Sequence, residues 1–262
     1  RRKTNFQKIF CFISFIFLLT CAFWYGGRTI YFYLQSEKSN ESDIITLIDK
    51  INKKELKKKD KDYYFYGKEK NNYVTYSNLT WRIIKITENN EIVLILDNPI
   101  VNLAFGEEVK YKDSYIVEWL NNTEKENTGI LEKNLNNINL INTTTCIDEI
   151  DDIEKNTCKN KYEKYKIALP SLTDYINTGA TNSFINNGYY TYLSNSNSQN
   201  EIWYITENGK INTTDGTEIL GVKPIITLPT NTQLIKGTGS NSDPYIIEDK
   251  TSYFASYVKL NN

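Results

Sequence analysis

The chain has 262 residues, of which 40% are hydrophobic, with 31 basic residues, 32 acidic residues and no His. That length allows one large domain or two small ones. The absence of His excludes Ser-His-Asp and Cys-His nucleophiles, His-ligated zinc and a histidine general base.

Charge divides the chain into zones. Residues 1–34 carry five basic and no acidic residues, residues 35–62 carry eight basic and seven acidic, and residues 63–262 carry 18 basic and 25 acidic. The acidic body argues against nucleic acid as a partner, because attraction to phosphate needs a basic face.

Arg1, Arg2, Lys3 and Lys8 precede the uncharged run from Ile9 to Tyr25. That run is at the short end of what spans a bilayer and can extend to Leu34 if Arg28 reaches the interface. Trp24, Tyr25, Tyr31 and Tyr33 suit an interfacial belt. Residues 1–34 are therefore expected to be a basic cytoplasmic tail and a single-pass transmembrane anchor, with the bulk of the chain outside the cell. Cleavage as a signal peptide is less favoured, since no small-x-small site follows the run. Lipidation at Cys21 is also less favoured, because Leu18-Leu19-Thr20-Cys21 only faintly resembles a lipobox.

Residues 35–62 read as a charged helical stalk. Ile44, Ile45, Leu47, Ile48, Ile51 and Leu56 fall at helical spacing and suggest an apolar stripe over 44–56, with self-association as its use. The body, 63–249, opens with short aromatic strands at Tyr63–Tyr66 and Tyr73–Tyr76. Leu79–Ile86 and Glu91–Leu96 flank Glu88-Asn89-Asn90 as a β-hairpin. The second of these strands is apolar on both faces and is expected at the centre of a sheet. Trp81 is read as core.

Ser114 begins a short helix that places Ile116, Trp119 and Leu120 on one face. Gly129–Leu135 reads as a second helix. Cys146 and Cys158 are expected to form a disulfide outside the cell, closing a loop worth roughly 3 kcal/mol. The acidic residues between them, Asp148, Glu149, Asp151, Asp152 and Glu154, lack EF-hand spacing and read as a solvated loop. Ser171 and Asp174 form a capping box for a third helix. Gly188–Leu193, Glu201–Ile205 and Gly221–Leu228 read as strands, with a hairpin turn at Asn208-Gly209. Gly237-Thr238-Gly239-Ser240 is not a phosphate loop, since no Lys-Ser/Thr and no helix follow. Residues 250–262 are left as a C-terminal tail.

Seven blocks occur in order: Trp81-Arg-Ile-Ile-Lys-Ile86, Trp119-Leu-Asn121, the Cys pair, Leu169-Pro-Ser-Leu-Thr-Asp-Tyr175, Trp203 with Gly209, Gly221-Val-Lys-Pro224 and Gly237 to Ile247. Together they resemble a family of domains on bacterial surface proteins, mostly from Firmicutes and Mollicutes. The later blocks also resemble the C-type-lectin-like fold of formylglycine-generating-enzyme relatives. The resemblance implies an α+β, lectin-like extracellular domain with a mainly antiparallel sheet and a few short helices. It implies no reaction. The late copper-binding Cys pair of the oxidising relatives has no counterpart here, nor do the calcium-holding tripeptides of sugar-binding lectins, and no cofactor or metal is expected.

If the domain recognises a ligand, the loops joining the last strands are the expected place. The candidates are Asn195, Asn197, Glu201, Trp203, Tyr204, Asn212, Asp215 and Glu218, with Trp203 and Tyr204 on opposite faces of one strand. The reading that follows is a membrane-anchored surface recognition or adhesion module for a glycan or protein. Its rivals are a carboxylate-dependent enzyme acting on cell wall or polysaccharide, and a structural part of a surface assembly.

Overall fold

The computed structural model describes residues 45–247, apart from 69, 127, 136–139, 155–157 and 160. The basic tail, the apolar run 9–25 and the C-terminal tail 250–262 lie outside the described residues. Among the described residues, no helix is long and apolar enough to cross a membrane.

Strand β1 (Lys57–Lys59), β2 (Asp62–Tyr64), β3 (Tyr73–Tyr76), β4 (Leu79–Ile86) and β5 (Ile92–Leu96) follow one another along the chain. β4 is the spine. On one edge it pairs antiparallel with β5, as the hairpin pattern predicts. On the other edge it pairs with β3 near its start and with β2 near its end. β5 also pairs with β13 (Ile225–Leu228), which places it inside the sheet. All five residues of β5 are buried, as expected for a strand covered on both faces. β14 (Tyr245–Ile246) lies parallel to β3 at the edge. The approach to β14 depends on glycine. Gly237 has φ +104°, and a Cβ there would stand 2.0 Å from the main-chain oxygen of Pro244.

A second sheet runs in the order β11 (Ile211–Thr214), β10 (Ile202–Ile205), β9 (Thr191–Ser196), β12 (Ile219–Val222) and β6 (Val101–Ala104). β9 and β12 are parallel, and the other neighbours are antiparallel. A small ladder joins β7 (Thr143–Cys146) to β8 (Tyr162–Tyr165). One apolar cluster draws on both larger sheets, with Trp81, Ile83, Tyr192, Val222 and Ile226 all fully enclosed. Gly221–Leu228, expected as one strand, is two. Pro224 removes a ladder donor and fixes φ, so the chain leaves the second sheet at Val222 and enters the first at Ile225.

Among the described residues, three short helices edge the sheets: α1 (Tyr115–Asn121), α2 (Ile130–Asn134) and α3 (Leu172–Asn177). The expected caps are present. Ser114 Oγ accepts from Val117 N. Ser171 and Asp174 form the reciprocal capping box. The α+β, lectin-like expectation is nevertheless corrected, because the described residues are mostly β-sheet. Helices of five to seven residues bury too little apolar area to make a layer of their own. Sheet residues make the core instead.

The helical stalk is also corrected. Residues from 45 onward belong to the same compact unit as the rest of the body. Leu47 and Ile51 enter its core, and Leu47 N donates to Thr232 O at 2.8 Å. Short 3-10 turns at Ile48–Lys50 and Lys53–Glu55 replace the expected helix, and β1 pairs with β2. The apolar stripe over 44–56 thus buries Leu47 and Ile51 within its own chain rather than presenting them to a second copy.

Candidate functional site

A backbone irregularity creates the site. The register between β4 and β5 slips at Ile84: Ile83 pairs with Leu94, and Lys85 pairs with Val93. One extra residue on β4 shifts its alternation by one position. Arg82, opposite Ile95, and Lys85, opposite Val93, therefore share one face of the sheet despite their odd spacing. Trp81, Ile83 and Ile86 share the other face and fill the core.

Lys85 stands at the floor of a cleft of about 750 Å³. The β1–β2 turn, the β4–β5 turn, the disulfide loop and the start of α3 form its walls. Its Nζ donates to Asp174 Oδ1 at 2.9 Å and to Tyr64 Oη at 3.2 Å. It pairs with Asp62 Oδ2 at 3.3 Å. Two of the ammonium donors thus have hydrogen-bond acceptors, and Asp62 adds an ion pair. Tyr64 Oη donates to Asp174 Oδ1 at 3.1 Å. The second Asp174 oxygen accepts from Ser171 Oγ at 2.8 Å and from Ser171 N at 3.2 Å. The capping box thus does two jobs: it starts α3, and it aims a carboxylate at the sheet.

The charge states follow from these contacts. Burial works to lower Lys85, but Asp174, Tyr64 and Asp62 outweigh it and hold the ammonium well above the ordinary lysine value. Burial works to raise Asp174, but Lys85 and Ser171 outweigh it and keep the carboxyl below the usual range. Burial and the Asp174 charge push the Tyr64 phenol up, so it remains a donor. The floor is consequently a fixed array of one cation, ionised Asp174, Asp62 and a phenol. Asp62 and Asp174 touch the same nitrogen, which brings two carboxylates together in one cleft. Glycoside hydrolysis asks one carboxyl of such a pair to hold a proton at neutral pH. Asp174 is driven the opposite way.

The disulfide is formed as expected, with S–S 1.99 Å. Among the described residues, Cys146, Cys158 and Asp148 group as metal-ligand types. The sulfurs are bonded to each other and offer no thiolate, while Asp148 Oδ1 accepts from Lys161 N at 3.2 Å. Asp151 Oδ1 accepts from Ser198 N at 2.7 Å. The acidic loop is in this way tied down by its own backbone contacts.

The eight ligand-binding residues expected from sequence occupy other places, and none of them lines the cleft, whereas Cys146 and Cys158 do. Asn195 is fully buried and braces the disulfide loop: its Nδ2 donates to Asp148 O at 2.9 Å, and its Oδ1 accepts from Leu172 N at 2.7 Å. Trp203 and Tyr204 are both buried, rather than one inside and one out. Trp203 Nε1 donates to Ile150 O at 2.8 Å. Asn212 Nδ2 donates to Tyr204 Oη at 3.0 Å. Glu201 accepts from Asn197 Nδ2 at 2.9 Å and from Thr213 Oγ1 at 2.7 Å, which holds its carboxyl low. Asp215 accepts from Thr217, and the Glu218 main-chain oxygen accepts from Tyr192 Oη. Of the eight, Asn197 meets Glu201 and Tyr204 meets Asn212. The others serve turns and packing.

Sequence reasoning missed Asp62, Tyr64 and Lys85 as a group and placed Asp174 only as a cap. The available signal was Lys85 itself, an ammonium set between Ile84 and Ile86 in a largely apolar strand.

The fold and site together define a mainly β domain with a polar cleft lined by three lysines and six carboxylates. Comparison of the chain with protein-family models, with curated proteins and with solved structures finds no match.

Proposed function

We propose that residues 45–247 form an extracytoplasmic recognition domain whose cleft over Lys85 and Asp174 takes a neutral, hydroxyl-rich ligand such as a glycan chain. The observation that carries this reading is the fixed Lys85–Asp174–Asp62–Tyr64 array at the floor of a 750 Å³ cleft. Its size suits a small ligand or a short oligosaccharide. Lys85 is already engaged and the lining carries six carboxylates to three lysines, which disfavours an anionic ligand, while hydroxyl groups can exchange hydrogen bonds with either sign of partner. Tyr162 also lines the cleft and is 54% exposed, which offers an aromatic face to the apolar side of a sugar ring. The disulfide and the basic-then-apolar N-terminus support a location outside the cytoplasm. The closeness of Asp62 and Asp174 favours polysaccharide hydrolysis as the second reading.

The test is a panel of cell-wall polysaccharides and glycans presented to the full chain, with binding and release of reducing ends both recorded. Binding without cleavage is expected, and Tyr162→Ala should weaken it by about tenfold, a loss of about 1.4 kcal/mol. Cleavage of any member would replace this reading with the enzyme. Binding unaffected by Tyr162→Ala and by Asp62→Asn would place the ligand elsewhere.

A further inference from the structure

The other cation on the functional face of β4, Arg82, belongs to a separate buried cluster. Its Nε donates to Asn72 Oδ1 at 2.7 Å, and its Nη1 lies 3.5 Å from Asp97 Oδ1. The guanidinium is stacked 3.7 Å from the Tyr73 ring centre and 4.8 Å from that of Phe184. Beside it, at the joint between β12 and β13, Lys223 is 1% exposed. Lys223 Nζ donates to Ile185 O at 3.0 Å and to Asn187 Oδ1 at 3.1 Å. Burial brings this amine down to about 7; Asp97 resists the shift and Arg82 assists it. A large share of Lys223 thus carries a free lone pair at neutral pH.

Asn187 is clamped at both ends of its carboxamide. The oxygen meets Lys223. The nitrogen donates to the main-chain oxygen of Asp97 and, at 3.3 Å, to Asn98 Oδ1. An unprotonated lysine amine 3.1 Å from the oxygen of an amide carbonyl brings a nucleophile beside an electrophile. Asp97 adjoins both: its carboxylate acts on Lys223, and its main-chain oxygen accepts from the Asn187 nitrogen. Asn187 itself is exposed, so a small leaving group has a way out.

We propose that Lys223 and Asn187 join in an intramolecular amide cross-link. Nζ of Lys223 attacks Cγ of Asn187, the Nζ–Cγ bond forms, the Cγ–Nδ2 bond breaks, and ammonia departs. The proton shed by the attacking amine passes through the Asp97 carboxylate to the departing nitrogen. No oxidant, reductant or further reactant is needed, and escape of ammonia makes the step one-way. The bond ties the loop before β9 to the joint between the two sheets, across 36 residues of chain. Unlike the Cys146–Cys158 bridge, it survives reductant.

The test is the intact mass of the full chain, reduced and denatured after incubation at pH 8, together with peptide mapping. The expected mass is one ammonia below that of the sequence, with a branched peptide joining the Asn187 and Lys223 segments. Lys223→Arg and the exposed-site variant Asn187→Ala should each restore the full mass. Asp97→Asn should slow formation by about 100-fold or more. Full sequence mass with separate peptides would overturn the cross-link. So would an ammonia loss that persists in Lys223→Arg, since Asn187 can also lose ammonia by cyclising onto Gly188. Linkage in Asp97→Asn at the normal rate would remove Asp97 from the proton path.

Discussion

Lys85 and Asp174 are separated by 89 residues of chain and by 2.9 Å of space. Neither is comfortable alone. Removing the ammonium leaves Asp174, Asp62 and Tyr64 facing one another without a counter-charge, and an uncompensated buried charge is among the costlier single changes. Lys85→Met is expected to cost about 3 kcal/mol or more, read as a lower urea midpoint at unchanged slope. The pH dependence has a definite sign. The Asp174 carboxyl is depressed in the folded state, so its stabilisation is present above the unfolded value of about 4 and is lost as pH falls through the folded value. The urea midpoint of Asp174→Asn should trail the wild type by a constant gap from neutral pH down to about 4, and the gap should close below that. Lys85 is raised, so its contribution persists until strongly alkaline pH. A gap that widens in acid would contradict the pairing.

At the scale of elements, the bulge at Ile84 sets the floor of the cleft and the disulfide loop one of its walls. The alternation of β4 alone puts Arg82 and Lys85 on opposite faces; the extra residue puts them together. The loop between Cys146 and Cys158 spans 12 residues and is braced by Asn195 and Trp203 from the second sheet. Reduction of the bridge, or the double change Cys146→Ser with Cys158→Ser, should lower stability by about 3 kcal/mol through loop entropy. Denaturant titration with and without reductant reads this directly, and no difference would show that Asn195 and Trp203 hold the loop alone. The tyrosines, hydroxyls and amides of the last strands were legible in sequence as polar loop residues. Their actual use as braces was not, because a hydrogen bond from Trp203 to Ile150 is made by tertiary packing across 53 residues.

For the whole molecule, the boundary of the folded unit matters most. A reading by charge places it near 63, but burial places it at 45. Leu47, Ile51 and the β1–β2 pair contribute core and edge to the first sheet. A chain lacking residues 45–56 is expected to lose about 2–5 kcal/mol, the cost of emptying a large buried aliphatic site. It should show a broadened thermal transition, whereas a free-standing stalk could be removed with no change.

Local signals were sufficient for several features. These include the β4–β5 hairpin with β5 inside its sheet, the Ser114 and Ser171 caps, the β10–β11 turn, Trp81 in the core and the Cys146–Cys158 bridge. Each depends on neighbours in the chain or, for the bridge, on the chemistry of two residues alone. Only the tertiary structure decided that the short helices would edge a mainly β body, that Pro224 would divide one apolar run between two sheets, and that a one-residue slip in β4 would bring Lys85 to Asp174. Strand register and the pairing of distant charges are set by packing between segments far apart in sequence, and alternation along a single strand carries no record of where the phase will be broken.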